Sequence, residues 1–454
     1  MKKLLKRSLW LLLLAIIVVA VVFAWPRLPI ITAFAAKNMC SCVFIADRDP
    51  ASVKSQDMSF FPISLAKTRI NEAEKSVTAS LFGLARRKAV YRQGLGCAVV
   101  VDLTEQEIRD QAMDAIPAPG YDPALCAWPK GDLLPDTLLP GIDYPGLDSA
   151  VGRFFDVPGS EPFFKTQSVV VVYDNFLVLE KYAPGFDRNT ELLGWSMAKT
   201  VMNALTGIMV KDSLLDVNAP AGIEEWAQDE RRTIIIENLL HMNSGLQWVE
   251  NYFDLSEVTK MLYMSGDMYE YVVQRPLDYA VGSHWYYSSG SPNILSGLIR
   301  KRINDDREYH SLPYRELFSR TGMSSAVFEA DASGTFVGSS YCYATTRDWA
   351  RFGLLFLNDG VFEGDTILPP AWVDYSLTPT SSPDDCYAAM IWLRTPQEFP
   401  EGFDDLYFLD GFLGQRVFIV PSKKLVVVRM GYGNGNMNYY ELLKSITAAL
   451  PKKL

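Results

Sequence analysis

Residues 194–200 read Gly-Trp-Ser-Met-Ala-Lys-Thr, and an apolar run over residues 201–210 follows them directly. This run predicts a helix, on which a spacing of three places Ser196 and Lys199 on one face, less than one turn apart. In the first turn of a helix, unpaired N–H groups and the positive end of the dipole point outward. A hydroxyl there can lose its proton to the amine, which predicts a nucleophile and base without histidine. The alternative is an ordinary helix that carries this spacing by chance.

Composition limits the function classes. The chain has 454 residues, 49% hydrophobic and 12% aromatic, enough for a sizeable core. Its formal charge of −10, with no basic cluster beyond the N-terminus, argues against a nucleic-acid partner. No metal and no other cofactor is expected, because no metal-ligand spacing relates the three histidines, which are His241, His284 and His310.

The N-terminus carries a second long apolar run. Residues 8–25 hold no charge and follow four basic residues, Lys2, Lys3, Lys6 and Arg7. This pattern predicts a single transmembrane helix with its N-terminus in the cytoplasm, so that the catalytic domain lies on the outer side of the inner membrane. The alternative is a cleaved signal peptide, for which Ala33-Phe34-Ala35 resembles a cleavage site but lies far beyond the run. We favour the uncleaved anchor.

The cysteines number six, which permits disulfides in an exported protein but leaves the pairing open. They are Cys40, Cys42, Cys97, Cys126, Cys342 and Cys386. None neighbours a plausible base, so a thiol nucleophile is a minor alternative.

The strand patterns indicate one sheet made from both ends of the chain. Residues 167–173 and 176–182 are β-branched runs separated by Asp-Asn and predict a hairpin, as do residues 416–420 and 425–430. Residues 200–380 read mostly helical, and a last helix is expected over residues 438–450. These patterns predict an α+β fold, in which an antiparallel sheet of N- and C-terminal strands is flanked by helices and carries an inserted helical lobe.

Three parts are expected along the chain. Residues 1–27 would be the cytoplasmic stub and anchor. Residues 28–148 would be an extension that includes a strand, glycine turn and strand over residues 88–101. It ends in a Pro/Gly-rich connection over residues 117–147, whose composition leaves little room for regular elements. Residues 149–454 would be the main domain.

Two further motifs could serve the same chemistry. Residues 282–295 form a polar, turn-rich loop in which Tyr287 is a candidate general acid or base. Residues 408–416 place glycines beside a strand, where a backbone N–H can approach an oxyanion. Each motif alone also has a purely structural explanation. Tyr287 could be a loop tyrosine that is hydrogen-bonded to the backbone, and residues 408–416 could be an ordinary start of a strand.

Together the three motifs resemble a family. Ser-x-x-Lys, a Tyr-Ser-x loop about 90 residues further on, and a small-residue strand motif near the C-terminus follow the order of serine β-lactamases and penicillin-binding proteins. Over about residues 150–454 the chain resembles the class C β-lactamase-like hydrolases, which include esterases, D-amino-acid peptidases and nylon-oligomer (aminohexanoate-dimer) hydrolases. Residues 236–246 and 344–360 also look like that family.

The resemblance implies a role for each motif. Ser196 would be acylated, Lys199 would be its base or hydrogen-bond partner, and Tyr287 would carry a proton to the leaving group. The oxyanion hole would consist of the N–H groups of Ser196 and Phe412. Contacts to the substrate are expected from Ser289, Gly411 and Gln415.

Two departures from the family pattern bear on the substrate. Ser289 stands where class C enzymes have asparagine, and Leu409-Asp410-Gly411 stands where lactamases and transpeptidases have Lys-Thr-Gly or His-Thr-Gly. The missing cation usually holds a substrate carboxylate, and Arg416 is a candidate substitute. These departures look more like the nylon-oligomer-hydrolase and esterase branch. His241 and His284 are interpreted as structural.

The sequence therefore predicts an exported, membrane-anchored serine hydrolase that cleaves a small-molecule or peptide amide or ester through an acyl-enzyme. One alternative is a β-lactamase or D,D-peptidase acting on cell-wall peptides. Another is a non-catalytic binding protein of the cell envelope with the same fold.

Overall fold

The computed structural model describes residues 2–111, 113, 117, 119–157, 159–160 and 163–451. The helices are α1 (Lys2–Ala24), α2 (Leu28–Phe44), α3 (Pro50–Ser55), α4 (Glu105–Arg109), α5 (Tyr144–Gly152), α6 (Met197–Lys211), α7 (Ile236–Leu240), α8 (Glu257–Met264), α9 (Met268–Val273), α10 (Gly290–Ile303), α11 (Asp306–Leu312), α12 (Thr346–Leu357), α13 (Trp372–Ser376) and α14 (Tyr439–Ala448). The strands are β1 (Lys67–Asn71), β2 (Ser76–Leu81), β3 (Leu84–Arg92), β4 (Gly96–Val99), β5 (Thr166–Tyr173), β6 (Phe176–Tyr182), β7 (Glu191–Leu193), β8 (Val327–Phe328), β9 (Cys342–Thr345), β10 (Val361–Phe362), β11 (Asp365–Thr366), β12 (Trp392–Leu393), β13 (Tyr407–Gly411), β14 (Gln415–Val420) and β15 (Leu425–Gly431).

The main sheet has six antiparallel strands in the order β12-β13-β14-β15-β5-β6. Strand β15 pairs with β5, so the C-terminal strands close the sheet against the N-terminal hairpin. Both predicted hairpins are confirmed, and the last helix is α14. The helical lobe, α6–α11, lies between β6 and the C-terminal strands. The expected α+β architecture therefore fits the structure.

The valine run of β5 is continuous because the sheet is covered on both faces. Val170 and Val172 pack into the core that contains the α6 and α12 side chains, whereas Val169 and Val171 pack with α5 and α14 on the opposite face. A strand buried on both faces needs apolar residues at every position rather than at alternate ones. This sheet supports α6, which carries the predicted nucleophile and base.

Residues 28–99 form a layer against the helical lobe. Helix α2 lies on a separate antiparallel sheet, β1-β2-β3-β4, and every residue from 32 to 42 is buried. The strand, turn and strand expected over residues 88–101 are β3 and β4. Lys37 of α2 forms a buried ion pair with Glu329, Nζ to Oε2 2.6 Å. Glu329 also accepts hydrogen bonds from Ser41 Oγ and Cys97 N. The extension is thus packed onto the main domain, and the proposed domain bounds stay a prediction.

The prediction of a transmembrane helix over residues 8–25 is wrong. In the part of the chain that the structure describes, no helix is both long and apolar enough to cross a bilayer. The expected location outside the cytoplasm stays a prediction.

All six cysteines carry free thiols. The disulfides that the even count permits are therefore not present in this structure.

Candidate active site

Ser196 lies at the junction between β7 and α6. It is the N-cap residue of α6, one position before the first turn, and its side chain makes no capping hydrogen bond. The preceding Trp195 has a φ of 49°, in the left-handed region that a non-glycine residue rarely adopts. Such strain is held only where the surroundings impose it. Here Trp195 is buried in the core, and its turn presents the Ser196 hydroxyl beside Lys199.

Lys199 is buried and holds three partners. Its Nζ donates to Ser196 Oγ at 2.9 Å, to Ser289 Oγ at 3.0 Å and to the carbonyl oxygen of Ser339 at 3.1 Å. Burial, which disfavours the charged ammonium, lowers the pKa of Lys199 to about 8, although the charges of Glu250 and Asp410 oppose this shift. An amine with that pKa is available as a base near neutral pH. The structure therefore brings the two residues of the first motif together.

Ser289 links Lys199 to a carboxylate that sequence reasoning missed. Glu250 accepts hydrogen bonds from Ser289 Oγ at 2.5 Å and from Ser289 N at 2.9 Å. Trp248 Nε1 also donates to Glu250, at 2.6 Å. The Ser289 hydroxyl thus lies between the ammonium of Lys199 and the carboxylate of Glu250. A carboxylate beside a tryptophan in the loop after residues 236–246 was the available signal in the sequence, and it is a weak one.

Tyr287 lies over Lys199. The Nζ of Lys199 is 4.8 Å from the centroid of the Tyr287 ring. Burial and the neighbouring Tyr387 and Glu250 raise the pKa of Tyr287 well above its ordinary value, and a hydrogen bond with Ser196 opposes the shift only in part. The phenol is therefore protonated at neutral pH. It can donate a proton or a hydrogen bond, whereas the neutral amine of Lys199 can accept a proton.

Strand β13 approaches the Ser196 turn very closely. A Cβ on Gly411 would lie 2.2 Å from the carbonyl oxygen of Gly194, so only glycine permits this approach. The ring of Phe412 packs edge to face on Trp195, with centroids 5.3 Å apart. Among the described residues, the N–H groups of Ser196 and Phe412 have no hydrogen-bond acceptor. An oxyanion hole needs two such free donors near the nucleophile, and its assignment to these two N–H groups stays a prediction.

Two other residues of the strand motif are engaged elsewhere. The side-chain amide of Gln415 is buried and makes two hydrogen bonds with Gly431, each 2.8 Å long. Gln415 Nε2 donates to the carbonyl oxygen of Gly431, and Gly431 N donates to Gln415 Oε1. Arg416 forms ion pairs with Asp410 and Glu398 and lies over the ring of Tyr439. Arg416 therefore offers no free cation to a substrate carboxylate. A substrate contact from Gln415 stays a prediction.

The histidines lie apart from Lys199 and its partners. His241 packs edge to face on Tyr375, and burial lowers its pKa to about 4. His284 stacks on Tyr279, with ring centroids 4.0 Å apart. Within the described ranges, no group of three or more His, Cys, Asp or Glu residues could hold a metal ion.

The chain is similar to several known proteins. The family model described as Beta-lactamase matches residues 164–446. The 6-aminohexanoate-dimer hydrolase of Paenarthrobacter ureafaciens is 22% identical over 294 residues, which cover 60% of this chain and 73% of that protein. A family VIII carboxylesterase structure is similar with a TM-score of 0.53 and 12% identity, covering 70% of this chain and 100% of the other. The structure of a penicillin-binding protein from Bacillus halodurans is similar with a TM-score of 0.52 and 13% identity, covering 66% of this chain and 99% of the other.

The chain therefore belongs to the β-lactamase family, because the family model covers more than half of its length. This confirms the resemblance seen in the motifs, and with it the expectation of a serine hydrolase of the β-lactamase fold. The matched region contains Ser196, Lys199, Glu250, Tyr287 and Phe412.

Proposed function

We propose that the protein cleaves an amide or an ester through an acyl-enzyme on Ser196. Lys199 takes the hydroxyl proton as Ser196 Oγ bonds to the substrate carbonyl carbon. The N–H groups of Ser196 and Phe412 stabilise the resulting oxyanion. Tyr287 donates a proton to the leaving nitrogen or oxygen as that bond breaks, and it regains one from the neighbouring Lys199 ammonium, which returns to the neutral amine. Water then hydrolyses the acyl group from Ser196, and the hydroxyl is restored.

One observation carries this proposal. The Nζ of Lys199 lies 2.9 Å from Ser196 Oγ, and burial lowers the pKa of Lys199 to about 8. Hydrogen-bond distance and a pKa near neutral pH are the two properties that a general base needs. The pKa of Tyr287 is raised instead, which supports the opposite role of proton donor.

The substrate class follows from the cation that is missing. A penicillin or a D-alanyl peptide carries a carboxylate, and the strand motif offers Asp410 where relatives of that type have a lysine or histidine. Arg416 is paired with Asp410 and Glu398. An uncharged amide or ester avoids repulsion from Asp410, and the relatives named as an aminohexanoate-dimer hydrolase and a carboxylesterase support these two bond types.

The test is a hydrolysis screen of esters, amides, D-amino-acid peptides and β-lactams with the wild type and Ser196→Ala. We expect the variant to lose on the order of 10³-fold or more in kcat on the best substrate, because the nucleophile is gone. Ser283→Ala, which removes an exposed hydroxyl from the loop that carries Tyr287, serves as the matched control and should keep the wild-type rate.

A covalent probe separates an enzyme from a binding protein of the same fold. A fluorophosphonate should add its mass to the peptide that contains Ser196 in the wild type and in Ser283→Ala, but not in Ser196→Ala. Unlabelled wild-type protein that also fails every substrate would favour the non-catalytic alternative. Hydrolysis of a penicillin in preference to simple esters would favour the β-lactamase alternative.

A further inference from the structure

An apolar cavity of about 90 Å³ lies between the extension and the active site. Ile30, Ile31 and Phe34 of α2 form one wall, together with Phe60. Phe34 faces the main domain, where its ring packs on Trp195 and Tyr263.

The opposite wall consists of residues that adjoin the site. Phe412 and Tyr252 line the cavity, and their rings are stacked with centroids 4.7 Å apart. In the proposed function, the Phe412 N–H is one of the two donors of the oxyanion hole. Tyr252 follows Glu250 by two residues, and the Glu250 charge acts on its hydroxyl. Phe412 thus belongs both to the cavity wall and to the strand entry that packs on the Ser196 turn, where its ring contacts Trp195.

The described lining of the cavity offers no free charge. Its charged residues are Arg27 and Asp254, and they pair with each other at 2.6 Å. The pair is partly exposed, with 38% of the Arg27 side chain and 50% of the Asp254 side chain accessible to solvent. A charged group would gain no partner inside the cavity, whereas an alkyl group would leave water for an apolar surface.

The α2 wall belongs to this chain and not to the family core. The family model begins at residue 164, so α2 and Phe60 lie outside the matched region. Phe34 reaches the core beside the nucleophile turn, where its ring stacks on Trp195 with centroids 6.0 Å apart. The extension thus completes a cavity that residues 164–446 alone would leave open.

We propose that this cavity binds an alkyl group of the substrate that Ser196 attacks, so that the extension sets the chain-length preference of the enzyme. The inference rests on the proposed function, because it assigns a subsite to that same reaction. It adds the substrate class, which is an amide or ester with an uncharged alkyl chain on one side of the scissile bond.

Two ester series test the subsite and find the side on which the chain lies. Nitrophenyl esters from acetate to decanoate vary the acyl group, and acetate esters from ethyl to decyl vary the leaving group. In one series we expect kcat/KM to rise about fourfold per methylene until the cavity is full, because each buried methylene is worth about 0.8 kcal/mol. A flat profile in both series would overturn the proposal.

A filled cavity provides the matched comparison. Ile31→Trp places a large ring in the cavity, and the ratio of kcat/KM between the longest and shortest ester should fall about tenfold or more. Leu84→Trp adds the same ring to an exposed position of the extension, 49% accessible, and should keep the wild-type ratio. An unchanged ratio in folded Ile31→Trp would contradict the assignment.

Binding to the inactive protein separates the subsite from the chemistry. Full-length Ser196→Ala is titrated calorimetrically with two amide series, N-alkyl acetamides from ethyl to decyl and N-ethyl amides from acetamide to decanamide, so that each side of the scissile bond is varied. In one series we expect Kd to fall about fourfold per methylene and then level off. Length-dependent binding without any hydrolysis by the wild type would support the subsite and refute the proposed function. Equal Kd values throughout would refute the subsite. They would not bear on acyl-enzyme formation, which the fluorophosphonate probe tests separately.

Discussion

Lys199 shows how one side chain is tuned by groups far apart in sequence. Its burial favours the neutral amine, whereas the carboxylates of Glu250 and Asp410 favour the ammonium. Burial is the larger effect, so the pKa of Lys199 falls to about 8 rather than staying near 10.5. Ser289, which separates Lys199 from Glu250, holds the two at a distance where the carboxylate moderates the shift without forming an ion pair.

The pH dependence of kcat/KM should report this balance. Below a pH of about 8 the ammonium of Lys199 cannot accept the Ser196 proton, so the rate should rise with pH and level off above that value. In Glu250→Gln the neighbouring negative charge is lost, which favours the neutral amine and should move the midpoint to lower pH. Rates on a neutral ester over a wide pH range measure both midpoints.

The control is Glu224→Gln, which removes an exposed carboxylate from a short 3-10 turn and should keep the wild-type midpoint. A merely structural role for Glu250 would lower the rate or the stability without moving the midpoint. An unmoved midpoint in folded Glu250→Gln would therefore contradict the electrostatic link through Ser289.

At the scale of elements, the site depends on how closely β13 packs against the turn before α6. Glycine is required at both positions 411 and 194. A Cβ on Gly411 would meet the carbonyl oxygen of Gly194, and a Cβ on Gly194 would lie 2.3 Å from the ring of Trp349. Hydrogen bonding of Gly194 N to the carbonyl oxygen of Cys342 ties the same turn to β9. Three elements thus set the position of Ser196 relative to Phe412.

Gly411→Ala should separate β13 from the turn. The new methyl would meet backbone, which cannot yield as a flexible side chain can, so the Phe412 N–H would move away from Ser196. A displacement of about 1 Å can cost on the order of 10²-fold in rate, and we expect a loss of this size in kcat/KM. Steady-state kinetics on an ester measure it, with circular dichroism to confirm folding.

Gly120→Ala is the matched control, because a Cβ there would have no neighbour within 4 Å. It should leave both the rate and the fold unchanged. A Gly411→Ala protein with wild-type kcat/KM would show that the close approach of β13 is not needed for oxyanion stabilisation.

Strands were easier to predict than the helix that completes the site. The β5–β6 and β14–β15 hairpins follow from β-branched runs around short polar turns, which are local signals. Helix α2 is apolar over residues 28–36, but its burial depends on β1–β4 and α8, which are distant in sequence. The sequence therefore predicted only an extension over these residues and not the wall of a cavity.

For the whole molecule, the buried pair of Lys37 and Glu329 is central to how the extension is held. The two side chains are 6% and 0% exposed, and Glu329 also accepts hydrogen bonds from Ser41 and Cys97. The pair joins α2 and β4 to the loop after β8. If the extension shapes the substrate cavity, this contact also supports selectivity.

Lys37→Met should lower the free energy of unfolding by about 3–5 kcal/mol, because it leaves the Glu329 carboxylate buried without its cation. Chemical denaturation measures the change. Arg315→Met breaks an exposed pair with Glu308, 49% and 56% accessible, and should cost at most about 1 kcal/mol. Equal costs for the two variants would mean that the Lys37–Glu329 pair is not effectively desolvated.

The sequence by itself determined the family, the main sheet and the pairing of Ser196 with Lys199, because those depend on short-range periodicity and on motif order. Tertiary structure decided the rest of the site. Glu250 and Ser289 are 39 residues apart, and Lys37 and Glu329 are 292 apart, so no local pattern relates them. Apolar runs are equally ambiguous, because the same side chains suit a bilayer and a protein core. Only the packed structure showed α2 to be a core helix, and among the described residues it contains no helix both long and apolar enough to cross a bilayer.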